Sequence, residues 1–374
     1  MTFTHNDIDM PVGLYIHIPF CSSKCDYCDF LSFSDKQNQW EAYKNALLNE
    51  LSFYSHVRPI DTIYIGGGTP TVWPSSFLSD LLQALPPTLP DVEITCEANP
   101  GTLNEDRIEA LISGGVNRIS LGLQAWQPHL LKAIGRQTSS EIFLENYNAL
   151  RHSGIKNINI DIMFALPSQS LDNWEETLWK VIDLEPEHIS AYALTPEENT
   201  PLWARYGENI CDDETDRMMY HRCKAILKEC GYQQYEISNF CKPGFESKHN
   251  LRYWMRQPYI GLGLGAHSFA NDLRWNNTTD FCQYIKSQQH VKLNSTPITQ
   301  VDAMAEFMFL GLRMTQGISI DEFAKEFDKF PCEVYGSWIV QMEQDGLLQQ
   351  ENGRIFLTDI GMDLANRVMA GFLE

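Results

Sequence analysis

Leu14-Tyr-Ile-His-Ile-Pro-Phe-Cys21-Ser-Ser-Lys-Cys25-Asp-Tyr-Cys28 is the stretch from which the rest of the chain can be read. Leu14–Ile18 reads as a short β-rich run, the first candidate strand. Three cysteines then follow as C-x3-C-x2-C, directly after this first strand. Further strand-like runs recur at Thr62–Ile65, Val92–Cys96, Arg118–Leu123, Ile158–Ile162 and His188–Ala193. Helical patterns at Gln37–Tyr54, Ser75–Ala84, Asn104–Ser113, Glu141–His152 and Asn173–Asp183 separate them. Cap residues mark two helix starts, in Thr102-Leu-Asn-Glu105 and Ser170-Leu-Asp-Asn173. Strand-then-helix units with right-handed crossovers build a parallel sheet. Several of these strands read as largely apolar runs, as buried parallel strands do. Six strands fall short of a closed eight-stranded barrel, so the expected fold is α/β, a partial (β/α)6 barrel.

The pattern loosens after Glu198. Asp213–Cys230 reads as one long helix, Gln233–Ile237 as a strand, and Asn239–Asn277 is rich in Gly, Trp and His. From Val301 the character changes again. Helical patterns at Val301–Leu312, Ile320–Glu326 and Glu333–Asp345 precede a strand pair turning at Asn352-Gly353, and a last helix follows Thr358. The expected organisation is a barrel domain over 1–235, a connecting segment over 236–300 and a small winged-helix-like domain over 301–374. Winged helices often bind DNA, but a fold alone carries no function.

The chain of 374 residues carries 49 acidic against 28 basic residues, a formal net charge of −21, and no basic stripe. A nucleic-acid backbone would be repelled, so no nucleic-acid partner is expected. No apolar run approaches the length of a membrane span. Met1–Asp9 is polar and acidic, without a secretory pattern, so the expected location is cytoplasmic. The ten cysteines are then expected as thiols rather than disulfides.

Three thiolates this close suit a soft metal centre: iron–sulfur, zinc or Cu(I). A structural zinc would want a fourth ligand, and His17 is the nearest offer. Three ligands on a four-iron cube instead leave one iron open to a small molecule. Gly66-Gly67-Gly68-Thr69-Pro70, Glu97, Gln124, Arg136 and Asp161 follow or end consecutive strands, where such barrels build their sites. A charged Asp161 within an apolar strand wants a partner or a ligand.

C-x3-C-x2-C resembles the signature of the radical S-adenosylmethionine (SAM) superfamily. That resemblance implies a [4Fe–4S] cluster on Cys21, Cys25 and Cys28, with the open iron chelating the amino and carboxylate groups of SAM. In the family, electron transfer from the cluster cleaves SAM to a 5′-deoxyadenosyl radical. The glycine turn is similar to the family's GGE-type motif, with Gly68 in place of the acid, so Gly67, Gly68 and Thr69 would hold SAM through the backbone. Glu97, Gln124, Arg136 and Asp161 would surround SAM's ribose, carboxylate and sulfonium, with Tyr15 and Tyr27 flanking cluster and adenine. Tyr15-Ile-His-Ile-Pro-Phe-Cys21, Gly66–Pro70 and Gly122-Leu-Gln124 resemble the HemN/HemW subfamily. The dehydrogenase branch carries a further cysteine where Phe30 stands here and has a longer N-terminal arm; both departures argue against coproporphyrinogen III dehydrogenase activity. His249-Asn250-Leu-Arg-Tyr253-Trp254 matches the HNxxYW pattern of the haem-chaperone branch. It implies haem as a further cofactor, with His249 as axial ligand and Tyr253 and Trp254 against the porphyrin. The implied partners are haem-accepting apo-proteins such as respiratory enzymes, and an electron donor for the cluster. Membrane contact only through such partners, and a homodimer, are compatible with the sequence. No residue is assigned a catalytic role.

Overall fold

The computed structural model describes residues 10–54, 59–287 and 292–373; Met1–Asp9 lies outside them. Six parallel strands, β1 (Val12–Ile18), β2 (Ile60–Gly67), β3 (Glu93–Ala98), β4 (Arg118–Gln124), β5 (Ile158–Phe164) and β6 (His188–Ala193), lie side by side in chain order. The five predicted helices between them lie within a few residues of their expected spans, and a short helix, Pro128–Ala133, was not expected. Neighbouring strands sit ~4.8 Å apart, so β2 and β6 would be roughly 19 Å apart in a flat sheet. Tyr64 of β2 and Ser190 of β6 nevertheless line one cavity, so the sheet curls into a half-barrel. It stays open: among the described residues its edge strands do not pair.

The expectation of apolar strands needs correcting. Ile119, Leu121 and Leu123 of β4 and Ile158, Ile160 and Ile162 of β5 enter the core beneath the helices. The alternate residues Arg118, Ser120, Asn159, Asp161, His188 and Ser190 turn inward, because successive strand side chains face opposite sides. The inside of the half-barrel is a polar, hydrogen-bonded layer.

The segment 236–300, expected as a connector, is instead part of this sheet. β7 (Gln233–Gln234) and β8 (Asn239–Cys241) pair with each other, and β8 runs antiparallel to β6. The boundary expected at residue 235 therefore falls inside a hairpin. At the other edge β9 (Tyr259–Leu262) runs parallel to β1, followed by β10 (His267–Ala270), β11 (Leu273–Asn277) and β12 (Lys292–Pro297). These strands are too short for periodicity to reveal. Buried Glu50 fixes them to the helix Trp40–Phe53 by accepting from Gly263 N–H (2.8 Å), Asn277 Nδ2 (2.6 Å) and Tyr284 Oη (2.6 Å).

The C-terminal part has its own core, with Met308, Leu312, Phe323, Ile339, Ile355 and Val368 at its centre. Three helices, Gln300–Gly311, Ile320–Phe327 and Pro331–Gln344, pack on a sheet ordered β13 (Ile318–Ser319), β15 (Arg354–Leu357), β14 (Leu348–Glu351). Asn352 and Gly353 both take positive φ (52° and 74°), as the two-residue turn of a twisted hairpin requires. This is the expected winged-helix arrangement. Arg256 joins it to the barrel, reaching Glu306 (3.0 Å), Glu326 (3.0 Å) and Asp272 (2.6 Å).

Candidate metal centre

The cysteine loop leaves β1 and is pinned before it closes. Cys21 N–H donates to Phe33 O (3.0 Å), Asp26 N–H to Ile134 O (3.1 Å), and Leu202 N–H to Asp26 O (2.8 Å). Arg205 pairs with the Asp26 carboxylate. The glycine turn after β2 packs under this loop. Gly68 N–H donates to Ile18 O (2.9 Å) and Thr69 N–H to Phe20 O (2.7 Å). A Cβ on Gly68 would stand 2.6 Å from Phe20 O, so only glycine fits where the two chain segments meet. Gly67 N–H is engaged by Glu97 (3.0 Å), which leaves carbonyls as the groups this turn can offer an ammonium.

Cys21, Cys25, Cys28, Tyr27, Gly67, Gly68, Thr69, Glu97, Gln124, Arg136 and Asp161 line one cavity of about 380 Å³. The loop after β1 and the C-terminal halves of four strands thus converge as expected. Tyr15 is not part of that lining. Its hydroxyl lies 2.9 Å from His17 Nδ1, and its ring stacks on Tyr64 inside the barrel. His17 is no metal ligand, because its Nε2 faces Leu31 O at 2.9 Å.

A hydrogen-bond chain connects two of the sulfurs. Thr69 Oγ1 donates to Cys21 Sγ (3.7 Å) and accepts from Asn99 Nδ2 (2.7 Å). Asn99 Oδ1 accepts from Arg136 Nη2 (2.8 Å), and Arg136 Nη1 donates to Cys25 Sγ (3.8 Å). Asn99 was missed in the sequence, although its place after Glu97 at the end of β3 could have marked it. Gly122 leaves room for this chain, since a Cβ there would stand 2.7 Å from Asn99 Oδ1 and push the Asn99 and Arg136 side chains aside. Gln124 ends β4 with φ at 71°, unusual for a residue with a side chain, and accepts from Tyr192 Oη (3.2 Å), a second residue the sequence did not single out.

Burial raises the pKa of the Cys21 and Cys28 thiols; the Thr69 hydroxyl opposes this at Cys21 and the Phe30 backbone at Cys28. Among the described residues, no three His, Cys, Asp or Glu side chains converge as they would on a single ion. What the loop offers is three partly buried thiols, with the Thr69 hydroxyl and the Arg136 guanidinium turned to two of the sulfurs, and soft sulfur donors of this kind hold iron–sulfur clusters. The donor set therefore fits an iron–sulfur cluster held by three cysteines.

Glu97 accepts from Tyr64 Oη (2.8 Å) and Gly67 N–H, yet burial pushes its pKa up to about 7. A carboxyl with a raised folded pKa gives stability that is full below pH ~4.5 and falls as pH rises through 7. Unfolding of the metal-free protein at pH 5 and pH 8 should show this. Relative to Glu97→Gln, the wild type is expected to lose at most about 3 kcal/mol between the two. Equal pH profiles for the two proteins would refute the shift. Asp161 is likewise raised by burial, with Asn159, Ser120 and Ser190 holding it down.

The HNxxYW motif lies elsewhere, away from the cysteine cavity. The helix Lys248–Trp254 plugs the N-terminal end of the barrel, opposite the cysteines. His249 has no exposed surface; Nδ1 lies 2.9 Å from Thr62 Oγ1 and Nε2 lies 2.8 Å from Tyr253 Oη. Its ring stacks on Tyr64, and burial with nearby Arg252 and Arg118 pushes its pKa down to about 3. Both ring nitrogens are engaged by hydroxyls in this arrangement. Tyr253 packs edge-on against Tyr259 at 4.7 Å, and the Trp254 ring carries the Arg313 guanidinium at 4.3 Å. These aromatics pack as part of the barrel floor.

A half-barrel with three thiolates at its mouth and a cofactor-sized cavity beside them defines a radical SAM protein, and the Radical SAM superfamily model matches residues 15–179. The HemN C-terminal domain model matches residues 298–364. The chain is 35% identical to the heme chaperone HemW of Lactococcus lactis, with 98% of both chains covered. It is 34% identical to the heme chaperone HemW of Bacillus subtilis, covering 96% of this chain and 98% of that one. The chain belongs to the HemW family of radical SAM proteins. Among solved structures, coproporphyrinogen III oxidase (HemN) from Escherichia coli, a radical SAM enzyme, shares the fold with a TM-score of 0.84. That match covers 97% of this chain and 90% of the enzyme at 22% identity. No helix among the described residues is long and apolar enough to cross a membrane.

Proposed function

We propose that this protein is a haem chaperone. It holds a [4Fe–4S] cluster on Cys21, Cys25 and Cys28, takes SAM in the adjoining cavity, binds haem, and passes the haem to apo-proteins such as respiratory enzymes. An electron donor would serve the cluster. The observation that carries this reading is the sustained likeness, 35% over 98% of both chains, to a protein named a haem chaperone. The dehydrogenase alternative has a shared fold in its favour and a cysteine position against it, since Phe30 stands 66% exposed beside the cavity.

The cluster, when bound, supplies an iron without a protein ligand, open to SAM's amino and carboxylate groups. The chain's own part is positional. Arg136, fixed by Asn99 and Gly122 O (2.5 Å), sets a permanent positive charge beside Cys25, suited to a carboxylate. Gln124 and Asp161 offer acceptors for ribose hydroxyls, and the glycine turn offers carbonyls for the ammonium. Burial of His249 in the barrel floor, with both ring nitrogens on hydroxyls, favours another group as the haem ligand.

The test is an anaerobic haem titration of the cluster-loaded chain, followed by mixing with an apo-b-type cytochrome and a parallel assay on coproporphyrinogen III. Saturable uptake near one haem per chain, with transfer to the cytochrome and no decarboxylation, is expected. Absence of saturable uptake would overturn the reading, and decarboxylation would put the dehydrogenase in its place.

A further inference from the structure

Between the cysteine cavity and the barrel floor lies a second cavity of about 160 Å³, lined among others by Arg118, Ser120, Asp161, Tyr192, Asn239 and Asn250. Ser120, Asp161 and Tyr192 also line the cysteine cavity, so the two adjoin. Most polar groups around the inner cavity are satisfied. Ser120 Oγ and Asn159 Nδ2 donate to Asp161 (2.9 and 2.8 Å), and Asn159 Oδ1 faces His188 Nδ1 (2.6 Å) and accepts from Ser190 Oγ (3.1 Å).

Asn239 Oδ1 is buried without a partner, and so is one end of a charged group, Arg118. It is 2% exposed, it makes no side-chain hydrogen bond or ion pair among the described residues, and its Nε is buried without a partner. The side-chain amide of Asn250, from the HNxxYW motif, has no such partner there either. A guanidinium cannot shed its proton, and a buried charge without a counter-group is costly. Asp161 and Glu97 feel its charge, but neither lies within ion-pair distance of it, and each is held by donors of its own. What is missing is an anion with two acceptor oxygens, which a guanidinium fork binds best.

We propose that the inner cavity is a carboxylate-binding site, in which Arg118 and the Asn250 amide receive the carboxylate arm of a substrate whose body stays in the cysteine cavity. At about 160 Å³ the inner cavity suits an arm and not a macrocycle. The site stands on Arg118 and its cavity. Only the identity of the arm's bearer rests on the haem reading, haem having two propionates. The same chemistry would accept a free small carboxylate.

Saturation-transfer NMR on the full chain tests this with propionate and its neutral isostere propionamide. Saturable binding of propionate, and none of propionamide, is expected in the wild type. Arg118→Lys should weaken it, and Arg118→Met should weaken it at least tenfold. Equal behaviour of the two probes, or propionate binding indifferent to Arg118→Met, would overturn the site and leave ordered water as its occupant. The wild-type comparison decides even if a variant fails to fold. A second arm compares haem with haem dimethyl ester. At least tenfold weaker binding of the ester in the wild type, and no difference in Arg118→Met, assigns the arm to haem. Equal binding of the two, with Arg118-dependent propionate binding, assigns the site to a free carboxylate and overturns the substrate-arm half of the proposal. No haem binding at all would sink the haem reading while the propionate arm still judges the site.

Discussion

Replacing Cys21, Cys25 and Cys28 together by alanine should take the anaerobically reconstituted protein from about four irons and four sulfides per chain to background. The loop should survive this change. Its anchors are main-chain bonds, Cys21 N–H to Phe33 O (3.0 Å) and Cys28 N–H to Cys25 O (3.2 Å), and the three side chains are only partly buried. Thermal unfolding of the metal-free triple variant should therefore stay within ~1 kcal/mol of the metal-free wild type. The remaining seven cysteines, Cys96, Cys211, Cys223, Cys230, Cys241, Cys282 and Cys332, should not rescue the cluster, because they stand singly along the chain, no two closer than seven positions, and none lines the cysteine cavity. Iron and sulfide retained by the triple variant would show that the centre lies elsewhere.

His249→Ala should act on stability rather than on any iron. It removes the contacts with Thr62 Oγ1 and Tyr253 Oη, unstacks Tyr64, and leaves a hole in the barrel floor. Lost buried hydrogen bonds and a cavity together are expected to cost about 3 kcal/mol in urea unfolding. Because the folded His249 pKa lies near 3, well below its usual value, the wild type's contribution from this group is full above pH ~6.5. It is lost as pH falls toward 3, a dependence the alanine variant should lack. Haem affinity per folded molecule should not change. A variant as stable as the wild type but deficient in haem would restore His249 as a ligand and refute the structural role given it here.

Much of the fold was legible because its carriers are local. The caps at Ser170 and Asn104, and Asn352-Gly353 between two alternating runs, each act within a few residues. The cysteine site was legible because three thiols in one short loop have few other uses. What escaped was non-local. β9 to β12 are short, and only pairing beside β1 makes them strands. The alternation Arg118-Ile-Ser-Leu-Gly in β4 was visible, yet the strands were read as apolar because a polar barrel interior needs tertiary hydrogen bonds to exist. Asn99 is a loop residue whose use depends on Arg136, 37 positions away. His249 shows the converse. A histidine among aromatics looks the same in sequence whether it faces a ligand or a Thr62 hydroxyl, and only burial separates the two.

The central claim is that three cysteines hold a four-iron cluster with one iron left for SAM. Electron paramagnetic resonance of the reduced, anaerobically reconstituted protein, recorded with and without SAM, tests it most directly. A [4Fe–4S]⁺ signal whose g-values shift on adding SAM, lost in the triple alanine variant, is predicted. A signal indifferent to SAM, or a protein carrying one zinc and no iron, would contradict the account.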